Sequence, residues 1–117
     1  MHAFDKLMYL NRELFRMIED RVSMDLLARL ISTQLVTHGE KHLLDHNRIY
    51  YRLLRAIIAE GQAKGEIRAE FSVNEIVKTY ALLERALMYD WCLCGGEYSL
   101  AMYAQRMLPR FMEDYRA

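Results

Sequence analysis

Residues 57–75, IIAEGQAKGEIRAEFSVNE, constrain the fold more than any other part of the chain. Gly61 and Gly65 bracket the last turn of a predicted helix, and a glycine just past a helix end can take the left-handed conformation that caps the free carbonyls. Ser72 and Glu75 have the S-x-x-E spacing of a capping box, which satisfies two backbone N–H groups where the next helix starts. The segment therefore predicts two helices joined by a short link over residues 66–71.

Hydrophobic spacing extends this pattern along the whole chain. It predicts five helices with limits near 3–20, 24–38, 42–64, 73–94 and 98–115, and no alternating strand pattern competes with them. Pro109 is expected to bend the last helix about one turn before it, because proline removes a helical hydrogen bond. We expect a single all-α domain over residues 1–117, folded as a five-helix bundle.

Composition limits the classes of function. Hydrophobic residues make up 53% of the chain and charged residues 27%, which favours a folded helical protein over a disordered one. Sixteen basic and sixteen acidic residues cancel, so the chain lacks the positive surplus that a free-standing DNA-binding domain needs. It also lacks a long apolar run or a start typical of a signal peptide. We expect a cytoplasmic protein that does not enter a membrane.

The common motifs of catalysis are missing from the sequence. There is no nucleophile elbow, phosphate-binding glycine loop or zinc-protease helix, so the chain is predicted to be neither an enzyme nor a cofactor-binding protein. His38, His42 and His46 recur every four residues, which is a metal-binding spacing when all lie on one helix. Gly39 interrupts that geometry. Surface histidines are the favoured interpretation, and a metal site is the alternative.

Four features follow one another along the chain: a helix ending in G-Q-x-x-G-E-I-R, an acidic link, a capped helix with a tryptophan near its end, and a final amphipathic helix. This order resembles the C-terminal domain of TetR/AcrR-family transcriptional regulators. The family's N-terminal helix-turn-helix domain has no counterpart here. The resemblance implies an effector-sensing and dimerisation domain that reaches DNA only through that missing domain. The residues that carry it are Gly61, Gln62, Gly65, Glu66, Ile67, Arg68, Ser72, Glu75 and Trp91.

The last two predicted helices carry more apolar surface than the three preceding ones can cover, which indicates a homodimer. In TetR-like proteins these helices pair with their mates in a four-helix interface around a twofold axis, and the resemblance implies the same here. The alternative is that the same side chains form ordinary intrachain core. The predicted interface residues are Met88, Trp91, Leu100, Ala104, Met107, Leu108 and Phe111.

Glu84 falls in the middle of the apolar face of the fourth predicted helix, where an unpaired carboxylate is costly to bury. Three interpretations stay open: an ion pair with an arginine, a position at the solvated end of the face, or contact with a ligand inside a cavity. The resemblance implies an apolar cavity within the bundle for a small hydrophobic or amphipathic effector. The residues predicted to line it are Asn11, Phe15, Gln34, Tyr51, Tyr80, Glu84 and Leu87.

A second function remains compatible with the sequence. The chain is also suited to be a free-standing helical dimer that acts as an interaction or adaptor module without a ligand pocket. A closed and fully packed interior would favour that alternative.

Overall fold

The computed structural model describes the backbone of residues 1–36 and 48–117, and the side chains of residues 1–32 and 49–117. Helices dominate this part of the chain, which confirms the all-α prediction for it; the β contact found there is an isolated bridge between Ile67 and Arg116. No helix within these ranges has the length and apolar character that a bilayer crossing requires. The elements are α1 (Ala3–Arg21), α2 (Met24–Val36), α3 (Arg48–Ala63), α4 (Val73–Leu93), α5 (Leu100–Met112) and a 3-10 helix (Glu113–Tyr115).

The predicted limits of the first and fourth helices agree with α1 and α4 to within one residue. The last helix begins two residues later than predicted, because the Ser99 hydroxyl accepts a hydrogen bond from the Met102 N–H and makes Ser99 the N-cap. It ends by tightening into the 3-10 helix. The predicted end of the second helix, the predicted start of the third, and His38, His42 and His46 lie outside the described residues.

Glycine ends α3 as the sequence predicts. Gly65 has φ +74°, and its N–H donates to the carbonyl of Gln62 at 3.1 Å while the N–H of Glu66 donates to the carbonyl of Gly61 at 2.8 Å. These two bonds form a Schellman motif, which satisfies carbonyls that the helix end leaves free. At the start of α4, the Ser72 hydroxyl accepts from the Glu75 N–H at 3.1 Å. A capping box also has a second hydrogen bond, from the Ser72 N–H to the Glu75 carboxylate. The hydrogen bonds of the described residues do not include it, and the Glu75 side chain is exposed.

Gly61 has a second role, which is to let three segments meet. A Cβ atom at Gly61 would lie 2.7 Å from the Cβ of Ala3 and 2.8 Å from the Cδ1 of Ile67. Carbon atoms do not approach so closely without displacement, since their optimal separation is about 3.5–4.0 Å. Only glycine therefore allows the end of α3 to contact the start of α1 and the link at once.

Hydrogen bonds to and from the link tie this junction together. The Glu66 carboxylate accepts from the Ala3 N–H at 3.0 Å and so caps the start of α1. The amide of Gln62 donates to the carbonyls of Arg68 at 2.9 Å and Phe71 at 2.7 Å. The N–H of Arg68 donates to the carbonyl of Tyr115 at 2.8 Å, which holds the end of the chain against the link.

The core lies between α1 and its neighbours. α1 packs against α5 and α3, and α4 packs against α3, α5 and α2. The buried residues of α1 and α4 recur at helical spacing, so each helix turns one stripe toward the others. The large side chains that are fully buried come from α1, α3, α4, α5 and the link: Tyr80, Phe15, Leu7, Leu54, Ile58, Ile67, Ile76, Leu100, Leu108, Met112 and Asn11.

Gly61→Ala is expected to destabilise the fold by about 1–3 kcal/mol, because the added methyl overpacks the junction. Urea unfolding followed by circular dichroism would measure the loss. The double variant Gly61→Ala with Ala3→Gly removes the nearest clash and should recover part of the stability. Equal stability of Gly61→Ala and the unmodified chain would contradict the close approach.

Candidate functional site

A buried carboxylate on α4 is the centre of the candidate site. Glu84 is 3% exposed. It follows Tyr80 by four residues and precedes Leu87 by three, so the helical repeat places it on the stripe that α4 turns toward the core. Its burial therefore follows from the repeat of the helix.

Hydrogen bonds from two other helices hold Glu84. The side-chain amide of Asn11 on α1 donates to Oε2 at 2.8 Å, and the hydroxyl of Tyr50 on α3 lies 2.7 Å from Oε2 and 2.8 Å from Oε1. Both partners are neutral. Among the described residues no arginine pairs with this carboxylate, and its burial rules out the solvated end of the face. We call Glu84, Asn11 and Tyr50 the carboxylate cluster.

The cluster connects to backbone groups and to α5. Asn11 is fully buried, and its Oδ1 lies 3.5 Å from the Nε2 of Gln105, which also donates to the carbonyl of Met8 at 3.0 Å. Tyr80 lies one turn before Glu84, but its hydroxyl donates to the carbonyl of Leu7 at 2.8 Å. The polar groups of this interior thus have partners within the fold, as buried polar groups usually do.

Burial raises the pKa of Glu84 to about 7, although hydrogen bonds from Tyr50 and Asn11 and the charge of Arg85 act in the opposite direction. Burial, followed by the negative charge of Glu84, also raises the pKa of both Tyr50 and Tyr80. The two hydroxyls therefore keep their protons. The cluster can gain or lose one proton near neutral pH, and its charged form can accept a cation or a hydrogen-bond donor.

The structure brings together three of the predicted ligand residues: Asn11, Tyr80 and Glu84. Phe15 and Leu87 are also buried in the core, at 0% and 8% exposure. Tyr51 is half-buried and meets the ring of Tyr50 edge-on, with centroids 6.2 Å apart. The side chain of Gln34 lies outside the described residues.

Tyr50 is the member of the cluster that the sequence reasoning missed. It precedes Leu54 by four residues and Ile58 by eight, so it shares the buried stripe of α3. That position is typical of a core aromatic residue. The signal that could have found it is chemical: a tyrosine on a buried stripe needs a partner for its hydroxyl, and Glu84 needs a donor.

Asn11 and Tyr80 have no exposed surface, whereas the side chain of Tyr50 is only half-buried. A cavity of about 450 Å³ lies elsewhere, on the outside of the bundle between α1 and α5. We call it the α1–α5 groove. Its lining includes Arg12, Arg16 and Glu19 of α1 and Met102, Gln105 and Arg106 of α5.

The predicted interface residues divide into two groups. Leu100, Ala104 and Leu108 are fully buried within their own chain, and Trp91 is 7% exposed with its indole N–H donating to the carbonyl of Tyr98 at 2.9 Å. The other three predicted residues keep solvent-exposed surface. Phe111 is 52% exposed, and Met88 and Met107 are half-buried.

A further set of apolar side chains is exposed on α4 and was not predicted. Leu82, Tyr89 and Leu93 are 51%, 53% and 68% exposed. Spacings of seven and four residues put them on one face of the helix. We call these three residues the α4 stripe. The signal was present in the sequence, because α4 is apolar on more than one face.

No cluster of three or more histidine, cysteine, aspartate or glutamate side chains in the described parts of the chain is arranged to hold a metal ion. Comparison of the chain with protein-family models, curated proteins and solved structures finds no match.

Glu84→Gln is expected to flatten the pH dependence of stability. Glu84 has a pKa of about 7 in the folded chain against an ordinary value of 4.5, so the folded state holds this proton more tightly. The free energy of unfolding should then fall as pH rises from about 4.5 to about 7, by on the order of 3 kcal/mol, and be greatest below that window. Glutamine buries no charge, so the variant should be more stable than the unmodified chain above pH 7.

Urea unfolding measured at several pH values would test this expectation. Glu97→Gln removes an exposed carboxylate from the loop after α4 and serves as the matched control, which should keep the slope of the unmodified chain. An unchanged slope in Glu84→Gln would contradict the pKa assigned to this buried group.

Tyr50→Phe is expected to extend the same window to higher pH, because the hydrogen bond from Tyr50 lowers the pKa of Glu84 and its loss raises that pKa. Above pH 7 the variant should be less stable by roughly 1.5–3 kcal/mol, the usual worth of a hydrogen bond to a charged group. Tyr51→Phe is the control, since the hydroxyl of Tyr51 has no hydrogen bond within the described residues. Equal pH profiles for the two variants would show that Tyr50 does not stabilise the carboxylate.

Proposed function

We propose that the chain is the effector-sensing and dimerisation domain of a TetR-like transcriptional regulator, in which ligand binding inside the helical bundle alters DNA binding by a separate helix-turn-helix domain. The observation that carries this proposal is the carboxylate cluster. It joins α1, α3 and α4 through a single buried acid whose partners, Asn11 and Tyr50, are neutral. A buried acid with a strongly raised pKa is a common feature of functional sites.

The cluster supports a specific way of sensing. An effector that supplies a cationic or hydrogen-bond-donating group would compete with Asn11 and Tyr50 for the carboxylate of Glu84. Because these residues lie on different helices, replacing their hydrogen bonds would change how the helices pack. The ligand shifts the equilibrium only if it binds one packing arrangement more tightly than the other. In a dimer, that change would alter the separation of two DNA-binding heads and their fit to successive half-sites.

Exposed apolar side chains support the dimer part of the proposal. The α4 stripe and Phe111 leave large apolar groups in water, and clustered groups of this kind mark protein contacts. A twofold interface places the same stripe on both subunits, so α4 and α5 would pair with their mates. The core of that interface would then include the α4 stripe, Met88, Met107 and Phe111.

The remaining parts of the proposal follow from the same assignment. Because the formal net charge is zero, DNA binding is assigned to the separate domain. A bacterial regulator of this kind works in the cytoplasm, needs no cofactor and catalyses no reaction.

The burial of most of this interior favours a second candidate function. Asn11, Phe15 and Tyr80 have no exposed surface, and the described polar groups around Glu84 are satisfied within the chain. A helical dimer that acts as an adaptor needs no more than this. In that case the carboxylate cluster would be a structural device, and the α4 stripe would be the working surface.

Native mass spectrometry of the purified chain under gentle and denaturing conditions separates the two candidates. The sensor proposal predicts a dimer that carries additional small-molecule mass lost on denaturation. With that molecule in hand, Glu84→Gln should change its affinity by about tenfold or more while the dimer persists. A dimer without ligand would favour the adaptor, and a monomer at micromolar concentration would contradict both.

Leu82→Arg and Leu93→Arg are expected to dissociate the dimer, because each puts a charge at the centre of an apolar contact. Sedimentation velocity would report the shift to monomer, and circular dichroism should remain helical since both positions are exposed. Leu26→Arg is the matched control: Leu26 lies on α2 and is 49% exposed, against 51% for Leu82. If the control dissociates as readily as the α4 variants, the interface lies elsewhere.

A further inference from the structure

Basic side chains converge on the α1–α5 groove, which lies outside the bundle and is not used by the proposed function. Arg12 and Arg16 are one turn apart on α1, and Arg106 lies across the groove on α5. Like charges at this spacing on a helix repel each other. A bound anion would relieve that repulsion.

One acidic group of the groove, Glu19, is hydrogen-bonded to the start of α5. The Oε1 of Glu19 accepts from the N–H of Ala101 at 2.7 Å and lies 3.4 Å from the hydroxyl of Ser99. Glu19 thereby caps the start of α5, where a negative charge is stabilised by the helix. The lining holds two acidic side chains, Glu19 and Asp20, against three arginines. The groove therefore keeps a net positive character.

Arg12 has the most unusual environment of the three arginines. Its Nε atom is buried and makes no hydrogen bond with the described residues, and the Oε1 of Glu13 is 3.9 Å from it. That distance is too long for a hydrogen bond. The guanidinium carbon lies 5.4 Å from the centroid of the Tyr9 ring. A buried donor without an acceptor is costly, and a native structure seldom leaves one without a reason. The side chain as a whole is 40% exposed, so a ligand in the groove can reach the part of the guanidinium that is not buried.

The opposite wall adds apolar surface. Met102, 70% exposed, and Ala101 line the groove beside the arginines. Methionine adapts its shape to apolar ligands. The volume of about 450 Å³ falls within the range of small-molecule sites.

We propose that the α1–α5 groove binds a small organic anion that has a carboxylate or phosphate group on a short apolar chain. The anionic group lies against Arg12 and Arg106, whose planar guanidinium groups can each donate two parallel hydrogen bonds to such an oxyanion. The apolar chain packs on Met102. The groove does not include Glu84, so anion binding there does not require the bundle to sense an effector, although Gln105 of the lining also lies 3.5 Å from Asn11.

Titration calorimetry with hexanoate, hexyl phosphate and hexanol tests the proposal. Hexanoate or hexyl phosphate should bind saturably with an affinity that weakens as salt increases, and hexanol, which has the same chain without the charge, should not. The tighter of the two anions shows which oxyanion the groove prefers. Absence of saturable binding by both anions up to about 10 mM would overturn the proposal.

Arg12→Gln and Arg106→Gln should each weaken binding by about tenfold or more, because each removes a charge-assisted contact. Arg55→Gln, at an exposed arginine on α3, removes the same charge outside the groove and should leave the affinity within about twofold. Thermal unfolding checks the fold of each variant, and Arg106→Gln decides the test if Arg12→Gln does not fold. Equal weakening by all three variants, or none by the groove variants, would overturn the proposal.

Discussion

The contact at Gly61 is the constraint on which the rest of the structure depends. Without a side chain there, the end of α3 reaches both Ala3 at the start of α1 and Ile67 in the link. Glu66 then caps α1, and the link holds the end of the chain through Arg68. α1 is thereby positioned against α3 and α5. The place of Asn11 opposite Glu84 follows from that arrangement.

The carboxylate cluster balances two opposing effects. Removing Glu84 from water disfavours its charged form, and hydrogen bonds from Asn11 and Tyr50 favour it. Burial dominates, so the pKa rises to about 7. A carboxyl group with a pKa near neutral pH changes its protonation state in response to small changes in its surroundings. This property suits a sensor. The same geometry can also specify how three helices pack, because an unsatisfied carboxylate would disfavour every other arrangement.

Two parts of the outer surface, the α4 stripe and the α1–α5 groove, differ in their chemistry. The α4 stripe is apolar and suits another protein surface, since exposed leucine and tyrosine side chains gain most from being covered. The α1–α5 groove is basic and concave and suits a small anion. Because the two surfaces differ in both shape and charge, each can be altered without removing the main features of the other. Neither shares its defining residues with the carboxylate cluster.

The sequence by itself determined the helices, because helix caps and apolar repeats depend on neighbouring residues. Gly65, Ser72 and the apolar repeat predicted the end of α3, the start of α4 and the buried face on which Glu84 lies, since caps and periodicity act within a few residues. Only the tertiary structure decided the partners of Glu84, which lie 73 and 34 residues away. It also placed Leu100, Ala104 and Leu108 inside their own chain and left the α4 stripe outside. The apolar repeat indicates which face of a helix is apolar. Which neighbour covers that face depends on how helices distant in the sequence pack together.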